Sequence, residues 1–264
     1  MIRITLQTAF LVFGLLAAHL NLLAEPAHDW TGFYVGGFVG EANAVNGTHS
    51  VDRSVLIGTV LKPQFASSSS ADFSANASPM GGATIGYNWQ LGKRPYVLGL
   101  EGEYGYLNLT GTSETDASAS TLLYSTQNTT NIGAHYGYGL VSGRLGYALD
   151  DLLFFAKGGA VFTTVGTTNS TVAIVPNQPL YADHPASTSI TAAGYAVGGG
   201  LEYAPLLNGA RHLTVKLEYL YFGIQTSTHA MSIGQCTVQC HNVNQYKNST
   251  GGVATVKMGF NYRF

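Results

Sequence analysis

The chain has 264 residues, of which 45% are hydrophobic and only 10% are charged, and its formal net charge at pH 7 is -2. Typical soluble proteins have about 25% charged residues, so this composition does not suit a chain whose whole surface faces water. The 12 lysines and arginines are scattered along the sequence. This excludes nucleic acid as a partner, because binding to phosphates needs a basic patch.

The N-terminal segment is typical of a secretory signal peptide. Arg3 precedes an apolar run over residues 9–18, and a less regular stretch follows before the first acidic residue, Glu25. We predict a signal peptide at residues 1–24 and one mature domain at residues 25–264, with a buried N-terminal helix or an anchor as the alternative. No later window has the roughly 18 uninterrupted apolar residues of a membrane-spanning helix, so a mature chain that spans a membrane would use strands.

Apolar and polar residues alternate with period two along eight segments of the mature chain, which predicts eight β-strands. Each segment is longer than the mean soluble strand of about 5–6 residues. Most reach the roughly 9–11 residues that a tilted strand needs to cross a bilayer. The predicted strands cover residues 30–42, 80–90, 96–109, 132–149, 152–165, 190–203, 212–225 and 252–264.

Short and long connections alternate between these strands. Three are short turns, and four are long and rich in Ser, Thr and Asn, near residues 43–79, 110–131, 166–189 and 226–251. Membrane barrels have this alternation because their periplasmic turns are short and their extracellular loops are long. We therefore predict an all-β fold, an eight-stranded antiparallel up-and-down transmembrane β-barrel with four long extracellular loops and three short periplasmic turns. Its first strand should pair with its last.

The final residues, VKMGFNYRF, indicate which way the side chains face. Lys257 and Arg263 share one parity, and the apolar residues share the other. The apolar parity must face lipid, because a slip of one residue would place both cations in hydrocarbon. The same rule in the other strands predicts a nearly balanced lumen network, which should be ion-paired because unpaired buried charges are costly. Its members are Glu101, Glu103, Glu202, Glu218, Arg144, Lys157, Lys216, Lys257 and Arg263.

The sequence leaves open whether this lumen conducts solutes. An eight-stranded barrel encloses a space about wide enough for its own side chains to fill. Inward glycines, such as Gly99, Gly105, Gly198 and Gly200, either permit twist and close approach of strands or line gaps in a pore.

Aromatic residues near the strand ends predict girdles at the two membrane interfaces, where amphipathic rings sit between lipid and water. In a soluble protein the same residues would belong to the core. The set comprises Trp30, Tyr34, Tyr87, Trp89, Tyr96, Tyr147, Tyr203, Tyr221, Tyr262 and Phe264.

The two cysteines lie in the sequence QCTVQCH, within a predicted loop. In an exported protein, Cys236 and Cys240 are expected to form a short disulfide. A metal site that adds His241 is the alternative, although three ligands in one polar loop fall short of a recognised zinc spacing.

No catalytic motif stands out. Gly137, Gly139 and Gly143 loosely imitate a dinucleotide-binding loop, but the spacing is wrong and a strand follows. His135 or His212, with a nearby Ser and Glu, could form a hydrolase site, yet nothing in the spacing selects a triad. We predict no enzyme activity, no catalytic or metal-binding residues and no cofactor.

Five stretches together carry a family resemblance. They are DWTGFYVGGFVG (29–40), IGYNWQ (85–90), VLGLEGEYGY (97–106), GRLGYALDDLLFFAKGG (143–159) and VKMGFNYRF (256–264). The chain resembles the small outer-membrane proteins of alpha-proteobacteria known as outer-membrane immunogenic or porin-like proteins. The resemblance implies an eight-stranded barrel of the OmpA membrane-domain type. It also implies that Phe264 acts as a signal for the barrel-assembly machinery, and it implies roles in envelope integrity, surface interaction and sometimes solute passage.

These observations predict a Gram-negative outer-membrane protein with a structural role and loop-mediated surface interaction. A narrow porin for small hydrophilic solutes is the alternative, and a lipid-modifying barrel enzyme is a minor one. The expected partners are outer-membrane lipids, the barrel-assembly machinery and a host or phage surface ligand, and the expected state is a monomer.

Overall fold

The computed structural model describes residues 28–264, except 46, 58–59, 62–66, 93, 120–121, 134–136, 175–180, 183–184, 205–211, 225 and 236–239. Every regular element in these ranges is a β-strand. In the described part of the chain, no helix is long and apolar enough to cross a membrane. The predicted signal peptide at residues 1–24 lies outside the described residues and stays a prediction.

The strands vary widely in length. The longest, at 23 residues, has more than twice the roughly 9–11 residues that a tilted strand needs to cross a bilayer. In chain order they are β1 (Gly32–Val45), β2 (Gly47–Ile57), β3 (Val60–Leu61), β4 (Ser67–Ala75), β5 (Ser78–Gln90), β6 (Tyr96–Tyr106), β7 (Leu109–Ala119), β8 (Leu122–Ile132), β9 (Tyr138–Leu149), β10 (Leu152–Ile174), β11 (Tyr181–Ala182), β12 (Ala186–Tyr203), β13 (Leu213–Gly223), β14 (Thr226–Gln235), β15 (Cys240–Thr250) and β16 (Gly252–Arg263).

Eight of these strands form a closed ring. Its order is β12, β13, β16, β1, β5, β6, β9 and β10, and β10 pairs back onto β12. Every neighbouring pair is antiparallel. The pairing of β1 with β16, from Tyr34 opposite Arg263 to Val45 opposite Gly252, confirms that the first and last barrel strands meet. The ring has no free edge, so its backbone groups are satisfied without water, as lipid requires.

Side chains in the ring alternate between lumen and lipid as the sequence predicts. In β6 the buried and exposed residues alternate almost without a break. Outward side chains are apolar and exposed, for example Tyr104 at 65% and Met258 at 58%. The exposed band is therefore the surface that contacts lipid.

The prediction that the four long connections are loops is wrong for most of their length. They contain strands that continue the barrel in the ladder order β10, β8, β7, β4, β2, β15 and β14. We call this part the extracellular extension. It consists of β2, β4, β7, β8, β14, β15, residues 165–174 of β10 and residues 186–194 of β12. Its outward residues on β7 are polar, including exposed Glu114 and Asp116, so it lies beyond the apolar band.

The strand predicted at residues 132–149 is also wrong at its start. Ile132 ends β8, and β9 begins only at Tyr138. Gly133 and Gly137 lie between them with φ of 82° and 65°, a conformation that other residues rarely adopt. A Cβ atom at Gly133 would come within 2.0 Å of the Leu107 carbonyl oxygen, so the break needs glycine for space as well.

The interior is layered along the barrel axis. An apolar layer lies at the periplasmic end and consists of Trp30, Val97, Ala148, Leu153 and Ala204. Charged side chains follow, and a second apolar layer lies beyond them. The second layer contains Phe38, Ala42, Met80, Leu107, Leu109, Ile132, Tyr138, Leu140, Val161, Val165, Ala192, Ala196, Leu220, Phe222, Ile224 and Val253.

Two of the predicted girdle aromatics belong to this interior. Trp30 and Tyr34 are only 1% and 2% exposed and point into the barrel, so their assignment to a girdle is wrong. Tyr34 occupies an inward position of β1. Trp30 precedes β1 but has the same parity as its inward residues. Exposed aromatics do occur at the periplasmic end of the outer surface, including Trp89, Tyr147 and Phe264.

Candidate functional site

The charged layer of the lumen is built by six strands of the ring. Inward positions of β6, β9, β10, β12, β13 and β16 supply four carboxylates and four cations. They are Glu101, Glu103, Glu202, Glu218, Arg144, Lys157, Lys216 and Lys257, which we call the lumen network. Each side chain is at most 4% exposed, so the whole network is removed from water.

Lys157 lies at the centre of the network. Its Nζ atom contacts Glu101 closely. The same atom lies 3.2 Å from Glu103 and 3.2 Å from Glu218. One ammonium group therefore joins three carboxylates that come from two different strands.

The other two lysines complete a continuous array of ion pairs. Lys257 Nζ is 2.7 Å from Glu103 and 2.6 Å from Glu218. Lys216 Nζ is 3.2 Å from Glu101 and 3.8 Å from Glu218. Glu218 thus receives three lysines, and the network crosses the lumen from one wall to the other.

Arg144 connects this array to the periplasmic side. Its guanidinium lies 2.8 Å from Glu202 and 3.9 Å from Glu101, and it stacks 4.0 Å from the centre of the Phe155 ring. The Tyr34 hydroxyl donates a hydrogen bond of 2.7 Å to Glu101. A hydroxyl hidden in the barrel thus satisfies a carboxylate that several cations share.

The balance of charge and hydrogen bonds makes the network tolerable inside the barrel. Four carboxylates face four cations, so no net charge is left in the layer. Buried ions repay their desolvation only with good geometry and further hydrogen bonds. Glu202 has such bonds, because it accepts a hydrogen bond of 2.8 Å from the Asn261 amide and another from the Thr214 hydroxyl.

The inward glycines give these large side chains room. A Cβ atom at Gly99 would lie 2.4 Å from Asn88 Oδ1 and 2.7 Å from Arg144 Cγ. At Gly105 it would lie 2.8 Å from the Tyr138 ring and 2.9 Å from Phe38. Neighbouring side chains occupy the space opposite Gly99 and Gly105. These two glycines therefore permit a close approach of side chains and do not line a gap.

A family model described as "Outer membrane protein beta-barrel domain" matches residues 8–264 of the chain. The chain belongs to this family of outer-membrane β-barrels. It is 26% identical over 214 residues to a 22 kDa outer membrane protein of Rhizobium leguminosarum bv. viciae, covering 80% of this chain and 72% of the relative. It is 29% identical over 246 residues to a 31 kDa outer-membrane immunogenic protein of Brucella melitensis, covering 89% and 84%. The protein is therefore located in the bacterial outer membrane.

Solved outer-membrane proteins share the general architecture only distantly. OprG from Pseudomonas aeruginosa aligns with a TM-score of 0.44 and 10% identity, covering 90% of this chain and 98% of OprG. Ail of Yersinia pestis aligns with a TM-score of 0.32 and 14% identity, covering 85% and 99%. Both are too distant for a comparison of function.

Arg263, the ninth predicted member, stands apart from the lumen network of this outer-membrane barrel. Its side chain packs against Gly32 at the periplasmic mouth and forms none of the nine ion pairs found among the described residues. The physical reason is its place at the end of β16, where the side chain extends toward the mouth.

His28 lies near Arg263 at the periplasmic mouth, and its ring centre is 4.7 Å from that of Trp30. Burial, reinforced by Arg263, lowers the pKa of His28 to about 4.

The cysteine prediction falls mostly outside the described residues. Cys236 is not described, and Cys240 begins β15. The disulfide therefore stays a prediction. Of the candidate hydrolase residues, His135 is also outside the described ranges, and His212 is exposed with its ring 5.8 Å from Tyr262. In the described ranges, no group of three or more His, Cys, Asp or Glu residues is arranged to hold a metal ion.

Sequence reasoning missed a second polar cluster inside the extracellular extension. Asn128 of β8 donates to Asn169 of β10 at 2.6 Å and to Asn248 of β15 at 2.9 Å. His49 of β2 contacts the same Asn248 oxygen through Nδ1. We call these four buried residues the asparagine clasp, because they tie together four strands of the extension.

A signal for this clasp is present in the sequence. The chain has six Asn-X-Ser/Thr matches, at Asn46, Asn76, Asn108, Asn128, Asn169 and Asn248, which imitate glycosylation sites. Three of them are the clasp asparagines. Thr130 and Thr171, two residues after Asn128 and Asn169, are buried as well. The motif therefore arises from an inward polar face with period two.

We predict that breaking the lumen network destabilises the barrel strongly. In Glu218→Gln, three lysines lose one of their carboxylates, and removing one partner of a buried ion pair costs about 3–5 kcal/mol. Urea unfolding in lipid vesicles, followed by the mobility shift between folded and unfolded barrel on gels, measures this loss in the free energy of unfolding.

The matched control is Glu114→Gln on the exposed outer face of β7, beyond the apolar band. Surface substitutions of this kind usually change stability by less than about 0.5 kcal/mol. Equal effects of the two substitutions would contradict the role of the lumen network.

Proposed function

We propose that this protein is a structural, surface-presenting component of the outer membrane whose lumen is closed to solutes. The observation that carries the proposal is the layered interior, in which the lumen network lies between two apolar layers. A solute would have to displace Trp30 and its neighbours, break ion pairs that are shielded from water, and then pass the layer around Phe38 and Phe222. A ring of eight strands leaves no other route, because its own side chains fill its width.

The extracellular extension supports the presenting role. β10 runs unbroken through the lipid-facing band and into the extension, with β12 paired along it as far as Asn169 opposite Ala186. The barrel thus acts as a rigid base for a sheet that stands clear of the membrane. The Brucella melitensis relative is named an outer-membrane immunogenic protein, and exposure of the extension at the cell surface would suit a similar property in this chain.

The C-terminus fits the expected role in assembly. Phe264 is 74% exposed, and its backbone N–H donates a hydrogen bond of 3.0 Å to the carbonyl oxygen of Phe33 on β1. The last side chain is thus held at the periplasmic edge and remains available to the assembly machinery. The names of these two relatives, an outer membrane protein and an outer-membrane immunogenic protein, support a role without catalysis.

The first test is conductance in a planar bilayer. Folded protein should give flat traces without discrete steps, because the interior layers exclude a continuous water path. A known porin in the same membrane is the positive control. Reproducible steps from folded protein would contradict the closed lumen and favour the narrow porin.

The second test is surface labelling on intact cells. In a background with Cys236 and Cys240 replaced by serine, Thr168→Cys lies on the extension and Arg94→Cys lies on the turn at the opposite end of the barrel. Both native residues are exposed. A membrane-impermeant maleimide should label Thr168→Cys directly and Arg94→Cys only after the outer membrane is permeabilised. Equal labelling before permeabilisation, or the reverse order, would contradict surface presentation.

A further inference from the structure

His49 has an unusual position for a titratable residue. It is buried inside the extracellular extension, on the inward face of β2, and its ring is stacked over Tyr246 of β15 with centres 6.3 Å apart. Its Nδ1 atom contacts Asn248 Oδ1. The other ring nitrogen, Nε2, is buried without a hydrogen-bond partner among the described residues.

The hydrogen bonds of the asparagine clasp determine which tautomer His49 adopts. The Asn248 oxygen accepts from the Asn128 amide at 2.9 Å, so it is an acceptor. His49 must then donate to it through a protonated Nδ1. Nε2 is left as a lone pair in a neutral ring. A charged ring would carry a second N–H at Nε2, which is buried with no acceptor among the described residues, so the folded extension favours the uncharged form.

Among the described residues around His49, no inward group would stabilise a positive charge on its ring. Arg53, four residues along the same strand, faces the same interior, and its guanidinium contacts Thr126. The described carboxylates of β2 and of the nearby strands β4 and β7 are exposed on the outer face: Asp52, Asp72, Glu114 and Asp116. The other inward groups described on β4, β7, β8, β10 and β15 are uncharged: Ser69, Ser113, Thr115, Thr126, Asn128, Thr130, Thr167, Asn169, Thr171, Asn244, Tyr246 and Asn248.

We propose that His49 is an acid-sensitive element of the extracellular extension, and that its protonation opens the asparagine clasp. A proton on Nε2 would place a second cation in the interior that already holds Arg53. It would also create an N–H donor at Nε2, where the described residues offer no acceptor. Opening the clasp exposes His49 to water, where the charge is solvated. The four strands that meet at the clasp then lose their shared hydrogen bonds.

The direction of titration agrees with this geometry. Burial lowers the pKa of His49 below its ordinary value of 6.5, the hydrogen bond to Asn248 offsets part of this, and Arg53 lowers the pKa further. The open form therefore binds the proton more readily than the closed form. The clasp is fully stable above the ordinary pKa and loses stability as the pH falls below it. Uptake of one proton raises the opening equilibrium by at most about tenfold per pH unit.

The consequence for surface presentation rests on the proposed function, whereas opening by acid does not. If the extension presents a surface, acid would change that surface by loosening β2 and β15. Opening can be measured on purified protein with no partner present. Its failure would leave the surface labelling result untouched, and failure of surface labelling would leave acid opening testable.

The experiment measures cleavage of β2 by thermolysin in the full-length protein, folded in lipid vesicles, between about pH 7.5 and pH 5. At each pH the rate is divided by the rate for a synthetic peptide of residues 47–57, which removes the pH dependence of the protease. The wild type should show relative cleavage that rises on acidification, approaching tenfold per pH unit below the ordinary histidine pKa. His49→Gln should show a flat profile.

The control is His229→Gln, a change at an exposed histidine of β14, which should keep the wild-type profile. The proposal is overturned if His49→Gln retains the wild-type pH dependence, or if the wild type shows none. Should His49→Gln fail to fold, histidine NMR of the wild type decides the question. The expected result is an Nδ1-protonated neutral ring at neutral pH, and a ring already charged there would overturn the proposal.

Discussion

The whole structure depends on one constraint, which is that backbone polar groups in hydrocarbon must find their partners within the protein. The closed ladder from β1 to β16 meets this constraint. Closure with eight strands produces a lumen about as wide as the side chains that line it. Because the outer parity faces lipid, the charged residues at the level of the apolar band lie inside that narrow space. The lumen network of four carboxylates and four cations follows, since unpaired ions could not remain there.

The two halves of the barrel are held together by different chemistry. The transmembrane half has ion pairs between apolar layers, and Lys157 with Glu218 contributes to several contacts at once. The extracellular extension has amides and hydroxyls in the same inward positions, such as Asn128 and Asn169. Neutral hydrogen bonds contribute less than charge-assisted ones, and the extension is surrounded by water rather than lipid. A change in the charge of one residue can therefore act on the extension while the base stays folded.

The sequence was sufficient wherever the two faces of a strand differ strongly. In β6, β13 and β16 apolar residues face lipid and charged residues face the lumen, so the sequence alone shows which residues point inward. Eight of the nine predicted network residues meet in the structure. The extension was missed because both of its faces are polar, so β7 and β8 lack the contrast that defines a strand. Trp30 and Tyr34 were misassigned because an aromatic ring suits both a girdle and a core. Arg263 has the right parity, but its height in the barrel depends on register, which alternation alone does not give.

The proposed closure of the lumen is tested most directly by a high-resolution crystal structure of the protein grown from lipid, in which ordered water is visible. We expect Lys257 to contact Glu103 at about the 2.7 Å found here, with no water chain passing the layers around Trp30 and Phe222. A continuous file of ordered waters from the periplasmic mouth through the lumen network to the extracellular extension would contradict it.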